Sequence, residues 1–206
     1  MPQYTLNPPL VEDAVQRDPL AQFAVWLSDA KAAGLIEPTA MTLATVDADG
    51  RPSARVVLLK GMRDGALQFY SNYESRKGAA LAIHPFAAAT FWWDKLERCV
   101  RFEGRVSKLD AETSTNYFHS RPRGSQIGAW TSRQSKVVDG RATLDARLVE
   151  TQQRFAEGVV PLPPFWGGYA LKPDRIEFWQ GRDNRLHDRL RFVEESGVWR
   201  LERLEP

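Results

Sequence analysis

The chain has very little of the chemistry that builds disulfides or metal sites. Its 206 residues include a single cysteine, Cys99, which excludes a disulfide within the chain. The three histidines, His84, His119 and His187, lie far apart and lack metal-ligand spacing. We therefore expect neither a disulfide framework nor a bound metal.

Long apolar runs and runs of like charge are also missing. No stretch approaches the roughly 18 apolar residues of a membrane-spanning helix, and residues 1–18 contain no apolar core of signal-peptide type. The formal net charge is +2, and no run of lysine or arginine exceeds two residues. We expect a soluble, cytoplasmic protein that binds neither membranes nor nucleic acid, and small anionic ligands suit its charge better.

Hydrophobic residues make up 43% of the chain, which allows one substantial core. Residues 1–17 contain three prolines and no periodicity, so we expect an N-terminal arm whose order depends on docking. Residues 18–206 are expected to form a single domain. Asp18 and Pro19 begin a helix that ends at Gly34. Its core-covering stripe is predicted to be Leu20, Phe23, Ala24 and Leu27.

From residue 41 onward the pattern is typical of a mainly β protein with peripheral helices. Strands are predicted at 41–46, 53–60, 66–70, 87–93, 98–107, 169–171, 175–179, 190–193 and 198–204. Helices are predicted from about 75 to 83, at 110–119 and at 142–156, and a long loop at 120–136. The first three strands are expected to form a meander of hairpins. Short strands at hairpin spacing predict a closed or nearly closed antiparallel barrel.

The most distinctive strand is Arg55-Val56-Val57-Leu58-Leu59-Lys60. Four consecutive apolar residues predict a strand buried on both faces, yet a cation stands at each end. Residues five apart in a strand point to opposite faces and lie about 17 Å apart, so Arg55 and Lys60 suit two separate anionic groups. The alternative is that both ends simply emerge into solvent.

Three further places combine cations with hydroxyls or amides, the composition of a phosphate site. Ser75-Arg76-Lys77 stands at a helix N-terminus, where free backbone N–H groups favour an anion. Tyr117 and Arg121 would share a helix face near Ser125, and Gln134-Ser135 is a weaker cluster of the same kind. The alternative for Ser75-Arg76-Lys77 is a solvated helix start. The alternative for Tyr117 and Arg121 is a helix end capped by basic residues.

The third place runs from Trp179 to Arg189. Arg185, His187 and Arg189 are expected to alternate onto one strand face, and a histidine between two arginines is pushed towards its neutral form. A neutral imidazole suits a group that accepts a hydrogen bond or orients a ligand. An edge strand with a solvated basic face is the alternative.

Common catalytic motifs are absent. The sequence has no Gly-x-Gly-x-x-Gly, no Walker loop, no Gly-x-Ser-x-Gly and no His-Glu-x-x-His, and no paired carboxylates support a hydrolase. A barrel with several anion-binding groups and few acid or base candidates indicates a protein whose hard chemistry belongs to a bound phosphorylated cofactor.

Several segments, in order from Asp18 to Pro206, resemble the pyridoxine/pyridoxamine 5′-phosphate oxidase family. They are Arg55 to Lys60, Ser75-Arg-Lys77, Tyr117-Phe-His-Ser-Arg-Pro-Arg123, Ser125-Gln-Ile-Gly-Ala-Trp130, Pro161-Leu-Pro163, Phe165-Trp-Gly-Gly168, Ile176-Glu-Phe-Trp-Gln-Gly181 and Arg185-Leu-His-Asp-Arg189. The resemblance implies a split β-barrel homodimer with FMN at the subunit interface, so that each site draws on both chains. It also implies oxidation of pyridoxamine or pyridoxine 5′-phosphate to pyridoxal 5′-phosphate, with O2 as acceptor and H2O2 as product.

The resemblance also implies site residues. FMN would be bound by Arg55, Val56, Val57, Leu58, Leu59, Lys60, Tyr70, Ser71, Arg76, Lys77, Gln134, Ser135, Trp179 and Arg189. The substrate would be bound by Lys60, Tyr117, Arg121, Ser125, Arg185, Leu186 and His187. Arg185 and His187 are expected to be the catalytic pair that aligns the substrate for hydride transfer to flavin N5.

Two departures from the family pattern concern the flavin and the arm. Cys99 stands where the family usually has a flavin-contacting glutamine, so a hydrogen bond to the flavin is lost or replaced by a weak thiol contact. The arm lacks the Arg-Arg-x-Tyr element that helps to cover the substrate in many members, and Tyr4 is its only candidate remnant.

Two rival functions stay open beside this oxidase. One is a related flavin oxidase of a different substrate, such as a phenazine precursor, although an unphosphorylated substrate would leave the cations at Lys60 and Arg121 unpaired. The other is a non-catalytic carrier or sensor of flavin or pyridoxal phosphate. A nucleic-acid-binding barrel is a remote third, which salt-dependent association with DNA would test.

Overall fold

The computed structural model describes residues 6–206, so Tyr4 lies outside the described residues. Nine strands and five α-helices occupy this part of the chain. The strands are β1 (Ala40–Val46), β2 (Pro52–Leu58), β3 (Gly61–Arg63), β4 (Ala66–Asn72), β5 (Phe86–Trp93), β6 (Arg98–Lys108), β7 (Trp166–Gln180), β8 (Asp188–Glu195) and β9 (Val198–Arg203). The helices are α1 (Pro19–Ala32), α2 (Arg76–Ile83), α3 (Ala111–Ser120), α4 (Arg123–Thr131) and α5 (Arg141–Arg154). No α-helix in 6–206 is long and apolar enough to cross a membrane.

The strands form one curled antiparallel sheet, which confirms the predicted mainly β, split-barrel fold. Its order is β2-β1-β5-β6-β7-β4-β3, and β8 and β9 extend it from β7. The 15-residue β7 pairs with β6 along one edge, whereas its other edge pairs first with β4 and then with β8. Because β4 and β8 share the same edge of β7, the sheet divides there into two branches.

The first three predicted strands do not form a simple meander. β1 and β2 form the expected hairpin, but β4 pairs with β7, and β3 and β2 stand at opposite ends of the strand order. The chain leaves β2 at Leu58, and the backbone N–H of Lys60 donates to the carbonyl of Gln68 at 2.8 Å. Sheet curvature, which a local pattern does not encode, brings these two ends together.

The two strands predicted at 169–171 and 175–179 are one strand, β7. A register shift between Glu103 and Gly104 of β6 lies opposite Pro173, so the ladder continues past a proline that lacks an N–H donor. A Cβ at Gly104 would lie 2.1 Å from the carbonyl oxygen of Lys172, so only glycine fits this approach.

Helix α1 covers the core as predicted, with one correction to its buried face. Asp18 caps its first turn by accepting from the backbone N–H of Leu20, and Phe23 and Leu27 are buried. Ala24 is exposed, and the buried face continues through Trp26. Successive residues of a helix are about 100° apart, so residue 24 turns away from the face that carries 23 and 27.

The core consists largely of aromatic rings between α1 and the inner face of the sheet. The ring of Phe23 is fully buried, with centroid distances of 5.0 Å to Phe91 and 4.8 Å to Phe102. A second, smaller cluster lies under α3 and α4 and contains Phe118 and Trp166. The second cluster places α3 and α4 beside the start of β7.

The long loop predicted at 120–136 is wrong, because most of it is helix α4. Pro122 takes the N-cap position, and the side chain of Gln126 donates to the carbonyl of Arg121 at 2.8 Å. Ile127 is buried in the second cluster, and Trp130 packs against it. Gly124 and Gly128 lower the helix propensity of this segment, and tertiary packing decides its formation.

Strand β2 is not buried on both faces, which corrects the prediction for 55–60. The strand is at the sheet edge, Val56 is 67% exposed, and Arg55, Val57 and Leu58 are half-buried. Leu59 is buried and Lys60 is exposed beyond the strand end. Val56, Val57 and Leu58 of this apolar run instead line one wall of a cavity.

Candidate active site

A cavity of about 500 Å³ lies between β2, β4, β7 and the helices α2, α3 and α4. We name it the cationic cavity. Its lining consists of Val56, Val57, Leu58, Lys60, Tyr70, Ser71, Lys77, Tyr117, Arg121, Pro122, Ser125, Gln134 and Trp166. The lining comes from six separate elements and the loops between them. It contains three cations, Lys60, Lys77 and Arg121, and no carboxylate. Such a cavity favours an anionic ligand.

Aromatic rings form the wall beside Arg121. The rings of Tyr70 and Tyr117 stack with centroids 3.7 Å apart, and Trp166 continues the stack 5.8 Å from Tyr70. The guanidinium carbon of Arg121 lies 4.7 Å from the centroid of the Trp166 ring. Burial raises the pKa of the Tyr117 phenol, so this hydroxyl remains protonated at neutral pH.

Arg121 has a buried donor without a partner. Its Nη2 donates to the carbonyl of Ser125 at 2.9 Å, whereas Nη1 is buried and has no hydrogen-bond partner among residues 6–206. A buried guanidinium N–H that makes no hydrogen bond is costly, and a phosphate oxygen would remove this cost. Arg121 therefore fits an anion in the cavity.

Lys77 is a buried cation that donates its hydrogen bonds to neutral groups. The residue is 8% exposed, and its Nζ donates to Gln134 Oε1 at 2.7 Å and to Ser71 Oγ at 3.0 Å. Burial, and secondly the charge of Arg55, lowers the pKa of Lys77 to about 8. The solvated helix start considered for Ser75-Arg76-Lys77 is therefore wrong for Lys77, and a nearby anion would raise the pKa of Lys77 again.

Arg55 and Arg76 lie beside Lys77 and outside the cavity lining. Arg55 donates to Thr45 Oγ1 at 2.8 Å and to the carbonyl of Leu43 at 3.1 Å. Burial and the charge of Arg76 lower the pKa of Arg55. The guanidinium of Arg76 pairs with Asp47 at 3.3 Å and is more than half exposed. Three mutually repelling cations thus stand together at one end of the cavity.

Ser135 follows Gln134 directly and has a left-handed backbone, with φ of 72°. It is exposed and, like Leu59, does not line the cavity. Both therefore lie next to lining residues.

A second group of expected site residues lies on another part of the sheet. Cys99 of β6 pairs directly with Trp179 of β7, which pairs with Arg189 of β8, so the three share one sheet face. Cys99 is buried, and burial is the main cause that raises the pKa of its thiol. Arg189 forms a two-point ion pair with Glu177, at 2.8 and 3.0 Å.

Arg185, Leu186 and His187 lie in the loop before β8. Arg185 has a φ of 63° in a short 3-10 turn, and β8 begins only at Asp188, so the expected alternation of 185, 187 and 189 on one strand is wrong. The imidazole of His187 lies 4.5 Å from the ring of Trp179, measured between centroids. Its Nδ1 accepts the backbone N–H of Arg182 at 3.1 Å. Burial, and secondly the charge of Arg185, lowers the pKa of His187, so the predicted direction is right although the sequence attributed it to the neighbouring arginines.

The expected site residues thus fall into two groups within one chain. The cationic cavity unites Lys60, Tyr117, Arg121 and Ser125 with Val56 to Leu58, Tyr70, Ser71, Lys77 and Gln134. The loop group, Cys99, Trp179, Arg185, Leu186, His187 and Arg189, does not line this cavity.

Two cavity residues, Pro122 and Trp166, were missed as site residues. Both stand inside the quoted family segments, next to Arg121 and Phe165. Only the packing of the Trp166 ring against Arg121 reveals their place in the site.

The curled split sheet and the cation-lined cavity define a split-barrel protein whose cavity suits an anionic small molecule. The family model described as "Pyridoxamine 5′-phosphate oxidase" matches residues 27–155. That described as "Pyridoxine 5′-phosphate oxidase C-terminal dimerisation region" matches residues 166–206. The chain therefore belongs to the pyridoxine/pyridoxamine 5′-phosphate oxidase family, and the second match supports a homodimer.

Curated relatives cover nearly the whole chain. A pyridoxine/pyridoxamine 5′-phosphate oxidase of Burkholderia cenocepacia is 56% identical over 192 residues, covering 92% of this chain and 89% of that protein. One of Salinibacter ruber is 54% identical over 200 residues, covering 96% and 93%. These relatives support an oxidoreductase of this family.

Two solved structures share the fold. The structure of PhzG from Burkholderia lata 383, in complex with tetrahydrophenazine-1-carboxylic acid, superposes with a TM-score of 0.89 at 28% identity and covers 96% of this chain and 98% of that one. A pyridoxamine 5′-phosphate oxidase-related, FMN-binding protein of Nostoc punctiforme has a TM-score of 0.73 at 15% identity, covering 90% and 96%, and supports the fold alone.

Proposed function

We propose that the protein is an FMN-dependent oxidase that converts pyridoxamine and pyridoxine 5′-phosphate to pyridoxal 5′-phosphate, with O2 as acceptor and H2O2 as product. With the amine substrate, water is also consumed and ammonia is released. One observation carries the proposal. A single cavity contains two separate cationic groups, the buried Lys77 and the half-buried Arg121 with its buried Nη1, and no carboxylate in its lining. Two phosphorylated ligands, one at each cation, would compensate both charges.

The group around Lys77 suits the phosphate of FMN. Lys77 would donate to a phosphate oxygen together with Ser71, while Arg55 and Arg76 add positive charge at the same end of the cavity. The backbone of 56–60, Tyr70 and the pair Gln134 and Ser135 would hold the remainder of the cofactor. Bound FMN would supply the hydride acceptor that the chain itself lacks.

The group around Arg121 suits the phosphate of the substrate. Arg121 Nη1 offers an unused donor, the Tyr117 hydroxyl is protonated, and Lys60 and Ser125 line the same cavity. The ring of Trp166 holds the guanidinium from the side. An unphosphorylated substrate would leave Arg121 unpaired, so the phosphate contributes to selection as well as to affinity.

We propose that the second chain of the homodimer brings the loop group to the cavity. Arg185, Leu186 and His187 would then face the substrate ring, and Cys99, Trp179 and Arg189 the flavin. This assignment explains why one chain contains every expected residue and yet keeps the two groups apart. The match to the dimerisation region begins at 166 and includes the whole loop, which supports a shared site.

His187 and Arg185 would orient the substrate rather than carry out acid–base chemistry. Nδ1 of His187 accepts the Arg182 N–H, so in the neutral ring Nε2 carries the proton and acts as a donor. A fixed donor and a guanidinium would align the carbon that loses the hydride, and alignment is the main protein contribution to such a step.

Anaerobic mixing tests the reaction. FMN-loaded protein and pyridoxamine 5′-phosphate are combined without O2, and the absorbance of oxidised flavin near 450 nm is followed. Bleaching that recovers on admission of air, with pyridoxal 5′-phosphate formed, is the expected result. Binding without bleaching would instead indicate a carrier or sensor.

A mixed dimer tests the shared site. Lys77→Met and Arg185→Ala chains, each inactive alone, are combined in heterodimers carrying two tags. One intact site per heterodimer predicts about half of the wild-type activity per dimer. Heterodimers as inactive as either parent would refute a site built from two chains.

The likeness to PhzG favours a second candidate, oxidation of a phenazine precursor. The same anaerobic assay with tetrahydrophenazine-1-carboxylic acid separates the two candidates. Bleaching with this compound and not with pyridoxamine 5′-phosphate would overturn the proposed substrate.

A further inference from the structure

The N-terminal arm is fastened to the last strand by a network of ion pairs. Arg203 of β9 contacts both carboxylate oxygens of Glu12, at 2.8 and 3.0 Å, and donates to the carbonyl of Leu10 at 2.7 Å. Its Nη1 donates to Asp188 Oδ1 at 2.9 Å. One guanidinium therefore joins the arm to the first residue of β8.

The same network reaches both ends of the loop that carries Arg185 and His187. At one end, Asp188 accepts the backbone N–H of Leu10 at 3.0 Å. At the other end, Arg182 donates from Nη1 to the carbonyl of Asn7 at 2.7 Å and lies 3.6 Å from Asp188. The arm therefore contacts both Arg182 and Asp188, the residues at the two ends of the loop.

The loop needs such support because its backbone is strained. Arg185 has a φ of 63°, in the left-handed region that residues with a Cβ rarely adopt, and it follows Asn184, a residue type that enters this region more readily, with a φ of 56°. Conformations of this kind persist where the surroundings determine them. Inside the loop, the backbone N–H of Arg182 donates to His187 Nδ1, and the backbone N–H of Leu186 donates to the carbonyl of Asp183.

We propose that Glu12 and Arg203 are positioning residues that hold the arm against Arg182 and Asp188, and thereby fix the loop that presents Arg185 and His187. The role of the loop in substrate binding rests on the proposed function, whereas the mechanical coupling does not. The alternative is that Glu12 and Arg203 form an ordinary surface ion pair without effect on the loop, since their side chains are 46% and 40% exposed. Two features favour the network: Arg203 has three partners, and Asp188, with a side chain only 16% exposed, joins them to the loop.

Hydrogen–deuterium exchange of the FMN-loaded protein tests the coupling without reference to activity. Glu12→Ala removes the arm's carboxylate from an exposed position and leaves the core intact. The control is Glu195→Ala, which breaks a similar exposed pair, 2.9 Å from Arg200, at the other end of the β8–β9 hairpin. We expect exchange of residues 182–187 to become about two- to fivefold faster in Glu12→Ala and to stay unchanged in the control.

Kinetics with pyridoxamine 5′-phosphate give the second measurement. Glu12→Ala should raise KM about two- to fivefold with FMN affinity unchanged, because only the presentation of the substrate loop is altered. Faster exchange of residues 6–12 with unchanged exchange at 182–187 would overturn the inference. So would unchanged exchange in both segments. Failure of the wild-type protein, as well as the variants, to oxidise the substrate would refute the proposed function and leave the exchange result to decide the coupling.

Discussion

The charge state of Lys77 leads to a quantitative prediction for cofactor binding. Burial holds its pKa at about 8, well below its ordinary value, and Arg55 contributes to the shift. The lysine is therefore about 90% protonated at pH 7 and about 10% protonated at pH 9 in the unliganded protein. The phosphate of FMN is a dianion throughout this range, so only the protein partner changes its charge.

Affinity for FMN should therefore fall about tenfold between pH 7 and pH 9, because binding at high pH must first protonate Lys77. The assay is titration of the apoprotein with FMN, followed by quenching of flavin fluorescence, at pH 7, 8 and 9. Lys77→Met should bind weakly and lose most of the pH dependence. Lys95→Met, which removes an exposed lysine on another part of the surface, is the matched control and should behave as the wild type.

Two results would refute this reasoning. One is wild-type affinity that stays constant from pH 7 to pH 9, and the other is an equal pH slope in Lys77→Met. The same pKa also fixes the sign of a stability effect. Between pH 8 and about 10 the unfolded chain binds more protons at Lys77 than the folded one, so the free energy of unfolding of the apoprotein should rise with pH there.

Three substitutions and one comparison variant give further tests. Arg121→Met should raise KM for pyridoxamine 5′-phosphate about 10- to 100-fold, because a charge-assisted hydrogen bond is lost, and should leave turnover of unphosphorylated pyridoxamine unchanged. Phe23→Ala should lower the free energy of unfolding in urea by about 3–5 kcal/mol, and the half-buried Leu20→Ala on the same helix by clearly less. Gly104→Ala should lower it by about 1–3 kcal/mol, because its Cβ would meet the backbone of Lys172; wild-type stability would show that the strands can separate.

Local chemistry made several elements predictable. The side chains of Asp18, Ser75 and Asp110 cap α1, α2 and α3, and each accepts a backbone N–H of its first turn. Along β6, Val100 and Phe102 alternate with the charged Arg101 and Glu103, and both apolar side chains are fully buried in the core. These signals lie within one helical turn or one strand, so they are present in the sequence itself.

Other features depend on contacts between distant segments and were predicted wrongly. Helix α4 has no strong local signal and forms because Ile127 packs into the second cluster. The apolar run of β2 resembles a buried strand, yet it lies at a sheet edge and lines the cavity. The division into an arm, 1–17, and a single domain, 18–206, stays a prediction, although the arm is docked from residue 6 through Leu10 and Glu12.

The sequence was sufficient to predict the family, the mainly β fold and the residue types of the candidate site. Motifs and alternation involve residues that are close together in the chain, so they can be read from the sequence. Only the tertiary structure decided which cations share a cavity, that Lys77 is buried and donates to neutral acceptors, and that Arg121 retains an unused donor. It also separated the loop of Arg185 and His187 from that cavity. The physical reason is that burial and charge depend on what surrounds a side chain, and those surroundings are assembled from segments far apart in the chain.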